Sequence, residues 1–133
     1  VTVETDFRSP PETKVDAYDI AVILNNALEN AVRAASIVSE NETRTGYVRL
    51  RSWRKEPLYF IEIENNYTGE LVMDEQTDLP LPSHSSKDGA EHGLGLRNIR
   101  TCAEKYLGTM DIDLSTKDGR GCFTLTVMLN IGK

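Results

Sequence analysis

The segment from Ile20 to Val38 constrains this chain more than any other. Its apolar residues fall at Ile20, Ile23, Leu24, Ala27, Leu28, Ala31, Ala34, Ala35 and Val38, the i, i+3, i+4, i+7 spacing of an amphipathic helix. Asp16 is placed to cap its start. On the same helix Asn26, Asn30 and Arg33 recur at i, i+4 and i+7, so they share a second face. Asparagine inside a helix is about 0.5 kcal/mol or more less favourable than alanine, and this segment carries three, Asn25, Asn26 and Asn30. One reading is a solvated polar face. The other is a site, because a local rule broken inside a strong helix often marks one. A side-chain amide oxygen is a hard, neutral ligand suited to Mg²⁺ held jointly with phosphate oxygens.

A second stretch, Ser85 to Leu96, reads as a glycine-rich loop that enters another helix over Arg97 to Leu107. Leu96, Ile99, Ala103 and Leu107 form its apolar side, and Gly108 is expected as the C-cap. Glycines ahead of a helix let backbone N–H groups approach an anion, and the helix N-terminus adds about half a positive charge. Alone, Gly-x-Gly is equally a flexible turn. No Gly-Lys-Ser/Thr follows, which excludes a Walker loop, and no strand leads directly in, which excludes a dinucleotide fingerprint.

Alternation identifies the strands. Val1–Phe7, Tyr47–Trp53, Leu58–Asn65, Thr109–Ser115 and Cys122–Ile131 each alternate apolar and polar residues. Tyr59, Ile61 and Ile63 share one face, as do Phe123, Leu125, Val127, Leu129 and Ile131. Asp118-Gly119 is the centre of a hairpin turn. The order β-α-β-β-loop-α-β-β predicts an α+β, two-layer sandwich: a mixed, mostly antiparallel sheet with both helices on one face. Residues 1–133 are expected to form one domain. Between Thr68 and Glu91 there is no periodicity, and a run of that kind in a compact domain is often a lid.

Net charge is −6 and the isoelectric point about 4.9. With no basic cluster interleaved with aromatics, a nucleic-acid partner is not expected. No apolar run approaches the ~20 residues that span a bilayer. Cys102 and Cys122 show no metal spacing and are expected as reduced, buried thiols of a cytosolic domain.

Taken together, the element order, Leu24-Asn-Asn-Ala-Leu-Glu-Asn-Ala31 and His92-Gly-Leu-Gly-Leu-Arg-Asn-Ile99 resemble the ATP-binding domain of the GHKL superfamily, the Bergerat fold. Within it, the glycine stretch is similar to that of peptide-pheromone (quorum-sensing) receptor histidine kinases. The resemblance implies ATP and Mg²⁺ as cofactors and a lid over about residues 68–92. It implies that Asn30 is the metal ligand and that Asn26, one turn earlier, supports the phosphates. Arg33 and Lys87 are implied as cations directed at the phosphates. Gly93, Leu94, Gly95 and Leu96 are implied as the nucleotide-binding stretch, while Gly119 and Gly121 are expected to serve the hairpin. At the end of the third strand the superfamily's Asp-x-Gly-x-Gly is here Asn65-Asn-Tyr-Thr-Gly69. The implied adenine acceptor is therefore the amide of Asn65, without the strength that charge would lend. Asn at position 26 cannot act as a general base, so direct ATP hydrolysis is expected to be poor.

The activity implied is that of a histidine kinase catalytic domain, passing the γ-phosphoryl of Mg-ATP to a histidine on a dimerisation domain of the same protein, with a response regulator downstream. The parent is expected to be anchored in the bacterial cell membrane with this domain in the cytoplasm, and the fragment to be inactive alone. An anti-sigma-type serine kinase and a non-catalytic binding module of the same superfamily are the alternatives. His84 and His92 are expected as loop or lid residues rather than phosphoacceptors. Glu62 and Glu64 are expected on a solvated sheet face, and Trp53 and Tyr59 in hairpin packing.

Overall fold

The computed structural model describes residues 1–41, 45–68, 86–117 and 120–132; for residues 41, 86–94, 117 and 120 it describes the backbone only. Among the described residues five strands and two helices follow in the order β1 (Thr2–Asp6), α1 (Ala17–Asn41), β2 (Tyr47–Lys55), β3 (Leu58–Tyr67), α2 (Ser86–Lys105), β4 (Thr109–Lys117) and β5 (Arg120–Asn130). The sheet order is β1-β2-β3-β5-β4. Only β1 runs parallel to its neighbour, and α1 supplies the long crossover that a parallel pair needs. The other three pairings are antiparallel. This is the expected α+β sandwich, with β1 at one edge of the sheet.

The two-residue period of the strands puts one face of the sheet against the helices. Ile61 and Ile63 of β3 and Leu125, Val127 and Leu129 of β5 are buried there, with Ile23, Ala27, Ala31 and Ala35 of α1 and Leu96, Ile99 and Ala103 of α2. Small residues on the buried stripe of α1 let the helix lie close to β3, the central strand. Each fully buried Leu or Ile contributes about 1.5–3 kcal/mol relative to exposure. Truncating one at the centre, Ile61→Ala, is expected to cost about 2–5 kcal/mol.

Helix α1 begins where its capping residue dictates. Asp16 Oδ1 accepts the Tyr18 N–H at 2.8 Å, and the Asp16 carbonyl accepts from the Ile20 N–H at 3.2 Å. Lys117 pairs with Arg120 where β4 lies against β5; Asp118 and Gly119, expected as the hairpin turn, lie outside the described residues. Leu107 is not in the core: it is 71 % exposed and takes a left-handed φ of 56°. The Leu107 N–H donates to the Glu104 carbonyl at 3.0 Å and the Gly108 N–H to that of Ala103 at 2.9 Å. That pair of bonds is a Schellman cap with Leu107, not Gly108, in the left-handed place. Gly108 is needed for another reason, since a Cβ there would lie 1.7 Å from the Met128 carbonyl oxygen.

Candidate functional site

The polar line of α1 emerges beside its buried stripe. Asn30 is buried, and its Oδ1 has no hydrogen-bond partner among the described residues. Asn26, one turn earlier, is half-buried and anchors itself by donating Nδ2–H to the Val22 carbonyl at 2.7 Å. Its Oδ1 is thereby left facing α2, where a Cβ on Gly95 would lie 3.1 Å away. Arg33 pairs with Glu29 at 3.0 Å across one helical turn. Such an exposed pair is worth only about 0.3–0.5 kcal/mol, so the guanidinium is readily given up to a stronger anion.

The second part of the site is the C-terminal end of β3. Asn65 is 1 % exposed. Its Nδ2 donates to the Asn66 carbonyl at 2.9 Å, and its Oδ1, like that of Asn30, has no partner among the described residues. A buried acceptor without a partner is destabilising by about 1–3 kcal/mol, and each such group in a native fold calls for an explanation. Here the described residues hold two, both on the positions singled out in the sequence. Two residues on, the Tyr67 ring covers Gly121 of β5, so closely that a Cβ on that glycine would lie 2.5 Å from Tyr67 Cζ. Gly121 thus serves the seating of Tyr67 as well as the hairpin.

The glycine stretch departs from expectation. It is not a loop: α2 already begins at Ser86, so Gly93 and Gly95 are interior residues of a helix. Glycine is less favourable there than alanine by about 1 kcal/mol, and the close passage of α2 over Asn26 is what overrides local preference at Gly95. The positive end of α2 accordingly lies at Ser86 rather than beside Gly93. Leu96 is fully buried in the core, which leaves only its backbone for ligand. The expected lid divides: residues 69–85, with His84, lie outside the described residues, and from Ser86 onward the chain is helical. The side chains of Lys87, His92 and Leu94 lie outside the described set.

Three features were not anticipated. Glu64 is not solvated but 7 % exposed. It points to the sheet face away from the helices, as alternation required, but Tyr47 OH covers it and donates to Oε2 at 2.6 Å. Burial, with the contacts of its hydroxyl to Cys122 and Glu64, raises the Tyr47 phenol far above its usual range. Glu62 pairs with Arg51 instead. Second, buried Asp19 accepts from Tyr106 OH and from Lys105 Nζ, the latter at 2.9 Å, tying the start of α1 to the end of α2. Third, Asn66 is buried and holds backbone groups of β2, as described below. The doubled Asn at a strand end was the available signal. Trp53 stacks on Phe60 with ring centroids 5.1 Å apart, and Tyr59 lies in the core. Both cysteines are free, Cys122 buried and Cys102 half-buried. Among the described residues no group of three His, Cys, Asp or Glu could hold a metal, and no helix is long and apolar enough to cross a membrane.

A five-stranded, largely antiparallel sheet among the described residues, with helices packed on it, is the architecture of the GHKL fold. The GHKL domain family model matches residues 15–130, and the chain belongs to that family. No curated protein matches it at a significant level. Among solved structures it is similar to the Acinetobacter baumannii histidine kinase AdeS, with TM-score 0.60, 20 % identity, and coverage of 99 % of this chain and 55 % of that one. It is also similar to the mycobacterial sensor histidine kinase MprB, with TM-score 0.63, 16 % identity, and coverage of 97 % and 81 %. The catalytic domain of the histidine kinase ThkA aligns with TM-score 0.53 and 17 % identity, covering 98 % and 76 %. At these identities the likeness is one of fold. The chain spans about half the length of AdeS.

Proposed function

We propose that this chain is the ATP-binding catalytic domain of a sensor histidine kinase. The observation that carries the reading is the pair of buried, unpartnered amide oxygens, Asn30 Oδ1 and Asn65 Oδ1. Asn65 Oδ1 suits the amino group of adenine, which donates and does not accept. Asn30 Oδ1 suits Mg²⁺ held jointly with phosphate oxygens, since one neutral oxygen is too little for a protein-only cage. The metal, when bound, neutralises charge on the phosphates. The chain's own share is positioning and electrostatics rather than covalent chemistry. Asn26 braces the phosphate side, and Arg33 and Lys87 supply cations directed at the phosphates. The γ-phosphoryl goes to a histidine on a separate dimerisation domain of the same protein. Similarity of His92 to Ile99 to pheromone-receptor kinases supports a peptide-sensing, membrane-anchored parent with this domain in the cytoplasm and a response regulator downstream.

Titration of ATP into the 133-residue chain, with and without Mg²⁺, tests this. Saturable, Mg²⁺-dependent binding that Asn30→Ala weakens at least tenfold is the expected result. Failure to bind at millimolar Mg-ATP would remove the kinase reading in favour of a non-catalytic module. In the longer parent, γ-labelled ATP should leave an acid-labile, base-stable label; an acid-stable label would indicate a serine kinase instead.

A further inference from the structure

We propose that Asn66 is a positioning residue that sets which end of the Asn65 amide meets the base, and so makes the site select adenine over guanine. The inference rests on the nucleotide reading above. A carboxylate at position 65 would present only acceptors, whatever its rotation. An amide presents one acceptor and one donor. A half-turn about its last side-chain bond would let it accept from the amino group of adenine or donate to the carbonyl oxygen of guanine. Left free, Asn65 would therefore discriminate poorly between the two bases.

The surroundings remove that freedom. Asn65 Nδ2 donates to the Asn66 carbonyl at 2.9 Å. After a half-turn the two oxygens would face each other at that distance in a buried site, and Nδ2 would lose its acceptor. Oδ1 is thus the atom presented, and it is the atom that lacks a partner among the described residues. The backbone of Asn66 pairs with Cys122 of β5 on one side, and on the other the Asn66 side chain ties it to the chain entering β2. The Tyr47 N–H donates to Asn66 Oδ1 at 3.0 Å, and Asn66 Nδ2 donates to the Thr45 carbonyl at 3.1 Å. The backbone pairing of β2 with β3 ends at Val48↔Asn65. One residue further, the Asn66 amide takes the place of the missing strand partner, giving the departing chain an acceptor and a donor in a single side chain. By strand parity Asn66 points to the opposite face from Asn65. It does not reach the base and acts only through its neighbour.

The test measures dissociation constants for Mg-ATP and Mg-GTP on wild type, Asn65→Asp, Asn66→Ala and the double variant. Wild type and Asn65→Asp should both prefer ATP by about tenfold or more. Asn66→Ala should narrow the preference to about threefold or less, and the double variant should recover it, because a carboxylate needs no orientation. A role in stability alone would weaken ATP and GTP equally and leave the ratio unchanged in Asn66→Ala, which overturns the proposal. Loss of preference in the double variant overturns it too. If Asn66→Ala does not fold, wild type against Asn65→Asp decides: a ratio about tenfold higher in Asn65→Asp shows that the amide turns freely, and equal ratios uphold the lock. Binding of ATP without base preference by wild type overturns this inference alone. Absence of binding of either nucleotide overturns the kinase reading together with it.

Discussion

Gly95 of α2 and Asn26 of α1 meet so closely that a Cβ on the glycine would stand 3.1 Å from the asparagine Oδ1 and 3.8 Å from its Cβ. Two effects therefore oppose each other in Gly95→Ala. Helix propensity favours alanine by about 1 kcal/mol, whereas the tight contact forces Asn26 to shift against the bond that holds Nδ2 to the Val22 carbonyl. Gly95→Ala in wild type is expected to change stability by less than about 0.5 kcal/mol. With Asn26→Ala the obstructing oxygen is gone, and the same substitution should stabilise by about 1 kcal/mol. A double-mutant cycle in urea reads the coupling. Strict additivity would show that the two helices do not approach as described.

At the other end of α2 the cap predicts two opposite outcomes. Leu107 holds φ 56° with its side chain 71 % exposed, so little packing offsets a left-handed backbone that disfavours non-glycine residues by about 1–2 kcal/mol. Leu107→Gly is expected to raise stability by about 0.5–1 kcal/mol, part of the gain being lost to the freer unfolded chain. Gly108→Ala should do the reverse and more, because its Cβ would lie 1.7 Å from Met128 O, a backbone atom. A loss above about 2 kcal/mol, or failure to fold, is expected. Denaturant midpoints of the two variants check both.

Those two positions also show where reading the sequence stops. The strands, the span of α1 and the buried stripe from Ile20 to Val38 were legible, because periodicity is a local property of the chain. So was Asn30, because asparagine inside a helix breaks a local preference; Asn65 was pointed to only by the resemblance to the superfamily's motif. The start of α2 was not, since Gly93 and Gly95 read as loop residues until α1 is laid against them. Spacing puts Leu107 on the apolar side of the helix, yet it is exposed. Only the approach of Gly108 to β5 shows why the left-handed residue falls one place earlier. Alternation placed Glu64 on the outer face correctly but could not reveal that Tyr47, seventeen residues earlier, covers it. The partners of Asn66 at Thr45 and Tyr47 are distant in sequence in the same way.

Asp19 makes stability depend on pH. The hydrogen bond from Tyr106, then the bond and charge of Lys105, hold its carboxyl below the ordinary range despite its burial. The unfolded state then binds the proton more readily than the folded one. The stabilisation is fully present above the unfolded pKa of about 3.9 and is lost as pH falls through the lower folded value. Asp19→Asn keeps an acceptor but loses the charge. It is expected to lower stability at pH 7 by about 1–2 kcal/mol, the exposed Lys105 contributing the smaller part. Its unfolding free energy should also fall less steeply than that of wild type below pH 4. Parallel slopes in that window would place the acid sensitivity elsewhere.

Asn30 should separate stability from function. In the described structure its buried Oδ1 accepts nothing, and the residue sits in the middle of α1. Both conditions make it unfavourable to the fold: the unpaired acceptor by about 1–3 kcal/mol, the helix position by about 0.5 kcal/mol. Asn30→Ala relieves both while losing some packing volume. The ligand-free variant is therefore expected to be about 0.5–1.5 kcal/mol more stable than wild type. Mg-ATP at a hundredfold its dissociation constant should stabilise wild type by about 2.7 kcal/mol. The variant, binding at least tenfold more weakly, should gain no more than about 1.4 kcal/mol at the same concentration. Thermal unfolding of both proteins, with and without Mg-ATP, should thus give curves that cross: the variant higher when free, wild type higher when nucleotide is present. A ligand-free variant less stable than wild type would mean that Asn30 Oδ1 is satisfied within the fold. Binding would then have to draw on some other oxygen, and the metal would not be held where the helix presents this one.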